Sequence, residues 1–200
     1  MLKTLFSRKP PSNAKRVYDQ LVARARHTAF FTQTSVPDTL DGRFELMVLH
    51  LYLIHERLKD GQGEPRRFSQ EVFDAFIDDM DAGLREAAVG DQTVPKRINK
   101  MTKVFYGRVR AYDTVFESQM DTAARIAELT TVMHRNLFPD ADDADDGDAG
   151  ALFTSAALAQ YLVEQRKLYA SVDTSELTAG KAWFEGPPAL SVRAPISANT

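Results

Sequence analysis

The chain has 200 residues, of which 44% are apolar and 26% charged, and its net charge is −3. This length and composition predict one domain with a core of ordinary size. The sequence contains no cysteine, which excludes disulfides, thiolate nucleophiles and cysteine-ligated zinc or iron–sulfur centres. The net charge gives no overall attraction to nucleic acid, so we expect no DNA partner, and an anionic partner would have to meet a local basic patch.

Residues 1–12 form a basic, partly apolar N-terminal tail. The tail is too short to be a signal peptide with its own apolar region, and no later segment is long enough to cross a bilayer. We therefore expect a soluble, cytoplasmic protein. The tail is either a frayed terminus or a weak contact that places the protein at the surface of the inner membrane.

We predict a first helix from residue 13 to about residue 31. The stretch from Pro37 to Leu58, which follows it, is the centre of the predicted fold. From Phe44 to Ile54 only Glu45 and His50 interrupt a run of apolar side chains. A helix that is apolar nearly all round its circumference belongs in the interior of a domain. We therefore predict a central, buried helix over this stretch.

The turn before this central helix carries candidate partner-binding residues. Asp38 and Asp41 can each accept hydrogen bonds from the free N–H groups of a first helical turn. Capping needs only one of the two aspartates, and it does not require Arg43. We expect Arg43 either to lock the turn by pairing with an aspartate or to face a partner protein.

The next helix is predicted to begin at Ser69, which can cap its first turn, with Phe68 packing onto Phe73. Its outward side is acidic, and Gly90 is a suitable residue for its C-terminal end. A further helix should start at Val94-Pro95, because proline is well placed in a first helical turn.

This further helix carries the densest basic surface of the chain, together with Tyr106, an aromatic residue that we expect to be exposed beside arginine. Its candidate partner-binding cations are Lys96, Arg97, Lys100, Lys103, Arg108 and Arg110. The surface is either an ordinary solvated helix face or a contact for phosphates, acidic lipid headgroups or an acidic protein. Tyrosine and arginine side by side favour a protein interface.

In the remaining sequence we predict helices over about residues 121–137 and 152–169. Leu168 is expected on the apolar side of the second. An acidic linker at residues 140–148 separates the two helices. Residues 171–200 are expected to form an extended, irregular tail, with Trp183-Phe184 packing its first part onto the body. No segment alternates with period two. The predicted fold class is all-α: a single compact domain of about six helices over residues 13–170.

Motifs for catalysis and cofactor binding are mostly absent. The sequence has no Walker loop, no G-x-G-x-x-G and no G-x-S-x-G. His50 and His55 point about 140° apart on a helix and cannot share a metal ion. Asp74 and Asp78 lack the E-x-x-H pairs of a di-metal carboxylate site. We therefore predict no cofactor, no metal and no catalytic residue.

Several unusual strings of residues occur in order between Tyr18 and Tyr169. They are Val36–Glu45, Leu49-His50, Phe73–Phe76, Asp79–Asp81, Val89–Asp91, Val94–Arg97, Phe105–Arg108 and Ala111–Asp113. Through these strings the chain resembles the ubiquinol–cytochrome c chaperone family. Mitochondrial members of that family carry targeting sequences, which this chain lacks, so the resemblance implies a bacterial member.

The resemblance implies an all-helical assembly factor that helps newly made cytochrome b enter the respiratory bc1 complex. The implied partners are newly made cytochrome b or another bc1 assembly factor, with ribosome contact also implied by mitochondrial members. Our leading hypothesis is thus a non-enzymatic, ATP-independent chaperone. A second hypothesis is an RNA- or ribosome-binding adaptor that uses the basic helix at residues 96–110. A third is an enzyme with its active site around His50, His55 or the aspartates.

Overall fold

The computed structural model describes residues 12–139, 149–182, 184, 188 and 190. These residues contain eight helices and no strand, which confirms the all-α fold class. Six of the helices are long, and α2 and α8 are short. Their bounds are α1 Asn13–Ala25, α2 Ala29–Thr32, α3 Leu40–Leu58, α4 Glu64–Glu86, α5 Val94–Glu117, α6 Thr122–Leu137, α7 Ala149–Ser171 and α8 Thr174–Thr178.

Helix α3 is the central element of the fold, as its sequence predicts. Every residue from Glu45 to Ile54 is buried, because α3 packs against all five of the other long helices. Because α3 is surrounded in this way, an apolar side chain on any of its faces is removed from water on folding. Each large apolar side chain so buried contributes about 1.5–3 kcal/mol to the free energy of folding. The run of apolar residues is therefore explained by packing alone.

Helices α3, α4 and α5 run alternately up and down. Phe44 near the start of α3 meets Phe76 of α4, with ring centroids 6.2 Å apart. Phe73 of α4 meets Phe105 of α5 at 4.7 Å. Leu58 at the end of α3 lies beside Arg66 and Ser69 near the start of α4, so α3 and α4 are antiparallel.

Glu45 pairs with Arg108, and Lys59 with Asp113 and Glu117, so α3 and α5 run in the same direction and α5 is also antiparallel to α4. The turn before α3 therefore lies toward the N-terminal side of Arg108.

Several predicted helix ends are wrong. The first helix breaks after Ala25, and α2 follows as a separate turn. Helix α4 begins at Glu64 rather than at Ser69, because Gly63 adopts a φ of 70° and Pro65 occupies the first turn. Its C-terminal end comes before Gly90.

The segment after α7 is less irregular than the sequence predicts. It contains α8, and it is tied to α1 by two side chains. Asn13 Nδ2 donates to the Thr178 carbonyl at 2.9 Å, and Gln20 Nε2 donates to the Gly180 carbonyl at 3.0 Å. Phe184 packs onto the body of the domain, as expected. Its ring contacts His50, with ring centroids 5.5 Å apart. Trp183, the N-terminal tail and the acidic linker at residues 140–148 lie outside the described residues.

Candidate functional site

The turn before α3 is held by several independent constraints. Thr39 caps the helix, since its Oγ1 accepts a hydrogen bond from the Gly42 N–H at 3.1 Å. Neither aspartate of the turn provides the cap. Asp38 instead accepts from Arg43 Nε at 2.6 Å, and this hydrogen bond lowers the pKa of the Asp38 carboxyl. Arg43 therefore pairs with an aspartate of the turn, but the ion pair is solvent-exposed and contributes little to stability, so Arg43 is also accessible to a partner.

Gly42 makes the turn intolerant of a side chain. A Cβ built at Gly42 would lie 2.1 Å from the Pro37 carbonyl oxygen, so only glycine fits. Leu40, the first residue of α3, has 79% of its surface exposed, more than any other large apolar side chain of the described chain. Sequence reasoning missed Leu40, because its exposure follows from the position of Thr39 as the cap.

The basic face of α5 is a continuous exposed stripe. Lys96, Lys100, Lys103 and Arg110 recur on one side of the helix over about 21 Å, and Arg97 lies beside them. All five are exposed, and no ion pair among the described residues involves any of them. We call these five residues the basic stripe.

Arg108 does not belong to the basic stripe. It turns toward α3 and donates to Glu45, with Nη2 2.9 Å from Oε1 and Nε 3.1 Å from Oε2. Burial raises the pKa of Glu45, while the guanidinium acts in the opposite direction. The pair joins the central helix to α5, which gives Arg108 a structural role that its neighbours in the sequence do not reveal.

A cleft of about 380 Å³ opens between α3, α4 and α5. Its apolar surface comes from Leu51, Ile54, Leu58, Val72, Phe73 and Phe105. Its polar surface comes from His55, Lys59, Arg66, Ser69, Gln70 and Tyr106. Tyr106 keeps 47% of its surface exposed while its ring packs on Phe73 with centroids 5.6 Å apart. The sequence does not predict this cleft, since it joins residues from three helices.

His50, a candidate for an enzyme site, is fully buried in a chain of hydrogen bonds. Its Nδ1 donates to the Leu46 carbonyl at 2.7 Å, so its Nε2 accepts from the Tyr161 hydroxyl at 3.0 Å. Tyr161 in turn accepts from Arg24 Nε at 3.0 Å. Burial lowers the pKa of His50 to about 4, which keeps the ring neutral. Both ring nitrogens are occupied, and no atom of His50 reaches solvent.

The remaining titratable residues give no metal centre in the described ranges 12–139 and 149–182. No group of three or more histidine and acidic side chains there is arranged to hold a metal ion. The largest network of ion pairs among the described residues lies between α3, α5 and α7. In it Lys59 contacts Glu56 at 2.7 Å and Asp113 at 3.2 Å, and Arg166 contacts Glu56 at 2.5 Å. The network joins three helices.

Comparison with known proteins identifies the family. The family model described as ubiquinol–cytochrome C chaperone matches residues 32–184, which include the turn, the basic stripe and the cleft. The chain belongs to this family. The sequence resemblance is thereby confirmed.

Curated relatives carry names that agree with this membership. A Xenopus laevis protein named ubiquinol-cytochrome-c reductase complex assembly factor 1 is 25% identical over 100 residues, which cover 50% of each chain. A Mus musculus protein named assembly factor 1 of the same complex is 26% identical over 101 residues, covering 50% of this chain and 34% of the relative. The chain thus spans about half of the first relative and a third of the second.

A solved structure shows the same fold over nearly the whole chaperone-family chain. The crystal structure of the Cbp3 homolog from Brucella abortus has a TM-score of 0.73 and 32% identity, and the match covers 90% of this chain and 92% of that one. No described helix of the present chain is long and apolar enough to span a bilayer.

Proposed function

We propose that this protein is a non-enzymatic, ATP-independent assembly chaperone of the bc1 complex that binds newly made cytochrome b or another assembly factor of that complex. The observation that carries the proposal is the family match over residues 32–184. The names of the two vertebrate relatives refer to assembly of the same complex, which supports the proposal. The lack of a Walker loop in the sequence supports action without ATP.

The contact surface in this proposal has two parts at one end of the bundle. The first is the rigid turn with Asp38, Leu40, Asp41 and Arg43. The second is the basic stripe together with Tyr106. Exposed cations accelerate association with an acidic partner and orient it, and tyrosine and arginine are enriched in interface cores. Arg108 is left out, since it is bound to Glu45.

The basic stripe also suits a place at the inner-membrane surface, where a membrane-protein client would emerge. Each lysine or arginine near an anionic leaflet contributes about 1 kcal/mol of attraction. Stripe and turn would then meet the client where it is inserted, and the protein would remain peripheral to the bilayer.

Deletion of the gene in its host tests the proposal. We expect assembled bc1 complex and cytochrome b to fall together, and the full chain to restore both. Reversing three charges of the stripe by Lys96→Glu, Lys100→Glu and Lys103→Glu should prevent the rescue, while Lys167→Glu on the exposed side of α7 should not. Unchanged levels of both after deletion would contradict the proposed function.

A second candidate function, an RNA- or ribosome-binding adaptor, is favoured by the length and charge of the basic stripe. Five cations that each release a counterion from single-stranded RNA give a slope of about −3.5 in a plot of log affinity against log salt concentration. Titration of ribosomes or ribosomal RNA between about 50 and 200 mM salt measures that slope. Binding that does not respond to salt would eliminate this candidate.

A further inference from the structure

The cleft between α3, α4 and α5 is a surface that neither the turn nor the basic stripe includes. It borders the stripe, because Tyr106 at its rim lies between Lys103 and Arg110 on α5. Its volume of about 380 Å³ falls in the range of pockets that bind ligands or side chains. A partner that contacts the stripe is therefore also placed beside the cleft.

The floor of the cleft is apolar and aromatic. Phe73 and Phe105 pack with ring centroids 4.7 Å apart, and Tyr106 lies against both, at 5.6 and 5.2 Å. His55 packs edge-on against Phe105 at 6.5 Å, and burial lowers the pKa of its imidazole, which favours the uncharged ring. Leu51, Ile54, Leu58, Val72 and Phe105 keep 3% or less of their surface exposed. Apolar side chains of an incoming segment would therefore gain contact area mainly on the rings of Phe73 and Tyr106.

The rim of the cleft has an excess of positive charge. No carboxylate lines it, and two cations do, Lys59 and Arg66. Lys59 is neutralised by Glu56 and Asp113. Arg66 is exposed, and none of the ion pairs in the described part of the chain involves it. Arg66 is thus the cation that remains available to an occupant.

We infer that the cleft receives the apolar side chains of a partner-protein segment whose flanking carboxylate pairs with Arg66. A protein segment also suits the hydrogen-bonding groups of Ser69, Gln70 and Tyr106 at the rim. A nucleic acid would need a row of cations along its phosphate backbone, whereas Arg66 is, among the described residues, the one cation lining the cleft that is outside an ion pair. This inference rests on the proposed function and specifies where, and by what chemistry, the bc1-related partner is held.

Site-specific photo-cross-linking in the host tests the inference. Benzoylphenylalanine replaces Gln70, an exposed rim residue, and in a matched control it replaces Glu128, an exposed residue of α6. After irradiation, adducts of the full chain are identified by mass spectrometry. We expect cytochrome b or another bc1 assembly protein to be linked from position 70 and not from position 128.

Three substitutions test the chemistry of the cleft. Arg66→Glu and Tyr106→Ala should each lower the yield of the adduct by about tenfold, the effect of losing one well-placed interface side chain. Arg66→Lys should retain most of the yield, since it keeps the charge. Arg66 is exposed, so thermal unfolding of the two purified Arg66 variants should match that of the parent chain. Tyr106→Ala also removes the packing of its ring on Phe73 and Phe105, so the Arg66 pair is the decisive comparison.

Three results would overturn the inference: adducts from position 70 that contain only lipid or a second copy of this chain, equal adducts from both positions, or yields unaffected by Arg66→Glu. Failure of the proposed function is separate from these, because gene deletion would then leave the bc1 complex unchanged. If deletion removes the complex and Arg66→Glu fully restores it, only the inference about the cleft fails.

Discussion

Arg108 of α5 and Glu45 of α3 form a bidentate, partly buried ion pair between the two helices, with Nη2 2.9 Å from Oε1 and Nε 3.1 Å from Oε2. The Arg108 side chain keeps 25% exposure and the Glu45 side chain 10%. Replacing Arg108 by alanine leaves the carboxylate without its partner, and we expect a loss of about 2 kcal/mol, below the range for a fully buried pair.

The matched control is Arg110→Ala, because Arg110 is exposed on the basic stripe and should change stability by less than about 0.5 kcal/mol. Urea unfolding of both variants measures the difference. Equal stabilities would show that Arg108 has no structural role.

Two glycines in helices should respond in opposite ways to alanine. At Gly42 the new Cβ would lie 2.1 Å from the Pro37 carbonyl oxygen, so Gly42→Ala should destabilise the protein by about 1–3 kcal/mol. At Gly107 nothing lies within 4 Å, so Gly107→Ala should stabilise it by about 0.5–1 kcal/mol through helix propensity. Thermal unfolding measures both. Stabilisation by Gly42→Ala would contradict the geometry of the turn, and destabilisation by Gly107→Ala would contradict the open space at that residue.

His50 should make stability depend on pH. Its pKa is about 4 in the folded chain against an ordinary value of 6.5, so the unfolded chain binds more protons between these values and stability falls as pH decreases. Between about pH 7.5 and pH 5 the loss from this group is about 2 kcal/mol.

His55 shifts in the same direction, so the contribution of His50 is isolated by a variant. His50→Gln cannot titrate, and its stability should fall by about 2 kcal/mol less over the same pH interval. Urea unfolding at several pH values gives the comparison. Identical pH profiles for the two proteins would show that the imidazole is not held neutral.

Leu40 should matter for partner binding and not for folding. Leu40→Asp places a negative charge in the first turn of α3, where the helix dipole favours it, so stability should be retained. In a host that lacks the native gene, this variant should restore less bc1 complex than the parent chain. The control is Leu168→Asp at an exposed position of α7, 46% exposed, which should restore it fully. Full rescue by both variants would remove the turn from the contact surface.

Elements whose signal is local were predictable from the sequence. The run from Phe44 to Ile54 predicts the buried helix, and the structure buries every residue from Glu45 to Ile54. The basic residues of α5 are exposed, with the exception of Arg108. In these cases one helix and its periodicity contain all the information that is needed.

Features that depend on distant residues were not predictable. The partner of Arg108 is 63 residues away in the sequence, and no pattern distinguishes this arginine from its exposed neighbours. Leu168 was predicted to face inward and is exposed, because the apolar side chains of α7 surround the helix and define no single face. Thr39 was overlooked as a cap, since Asp38 and Asp41 on either side of it are equally good candidates by residue type.

Pulse-labelling tests the central claim most directly. Newly made proteins in the host are labelled briefly, the chaperone is purified at once from solubilised membranes, and the labelled proteins that accompany it are identified over a chase. We predict that labelled cytochrome b accompanies the parent chain early, leaves it as labelled bc1 complex appears, and is lost when Lys96, Lys100 and Lys103 are replaced by glutamate. Absence of labelled cytochrome b and of every other bc1 assembly protein at all times would contradict the account.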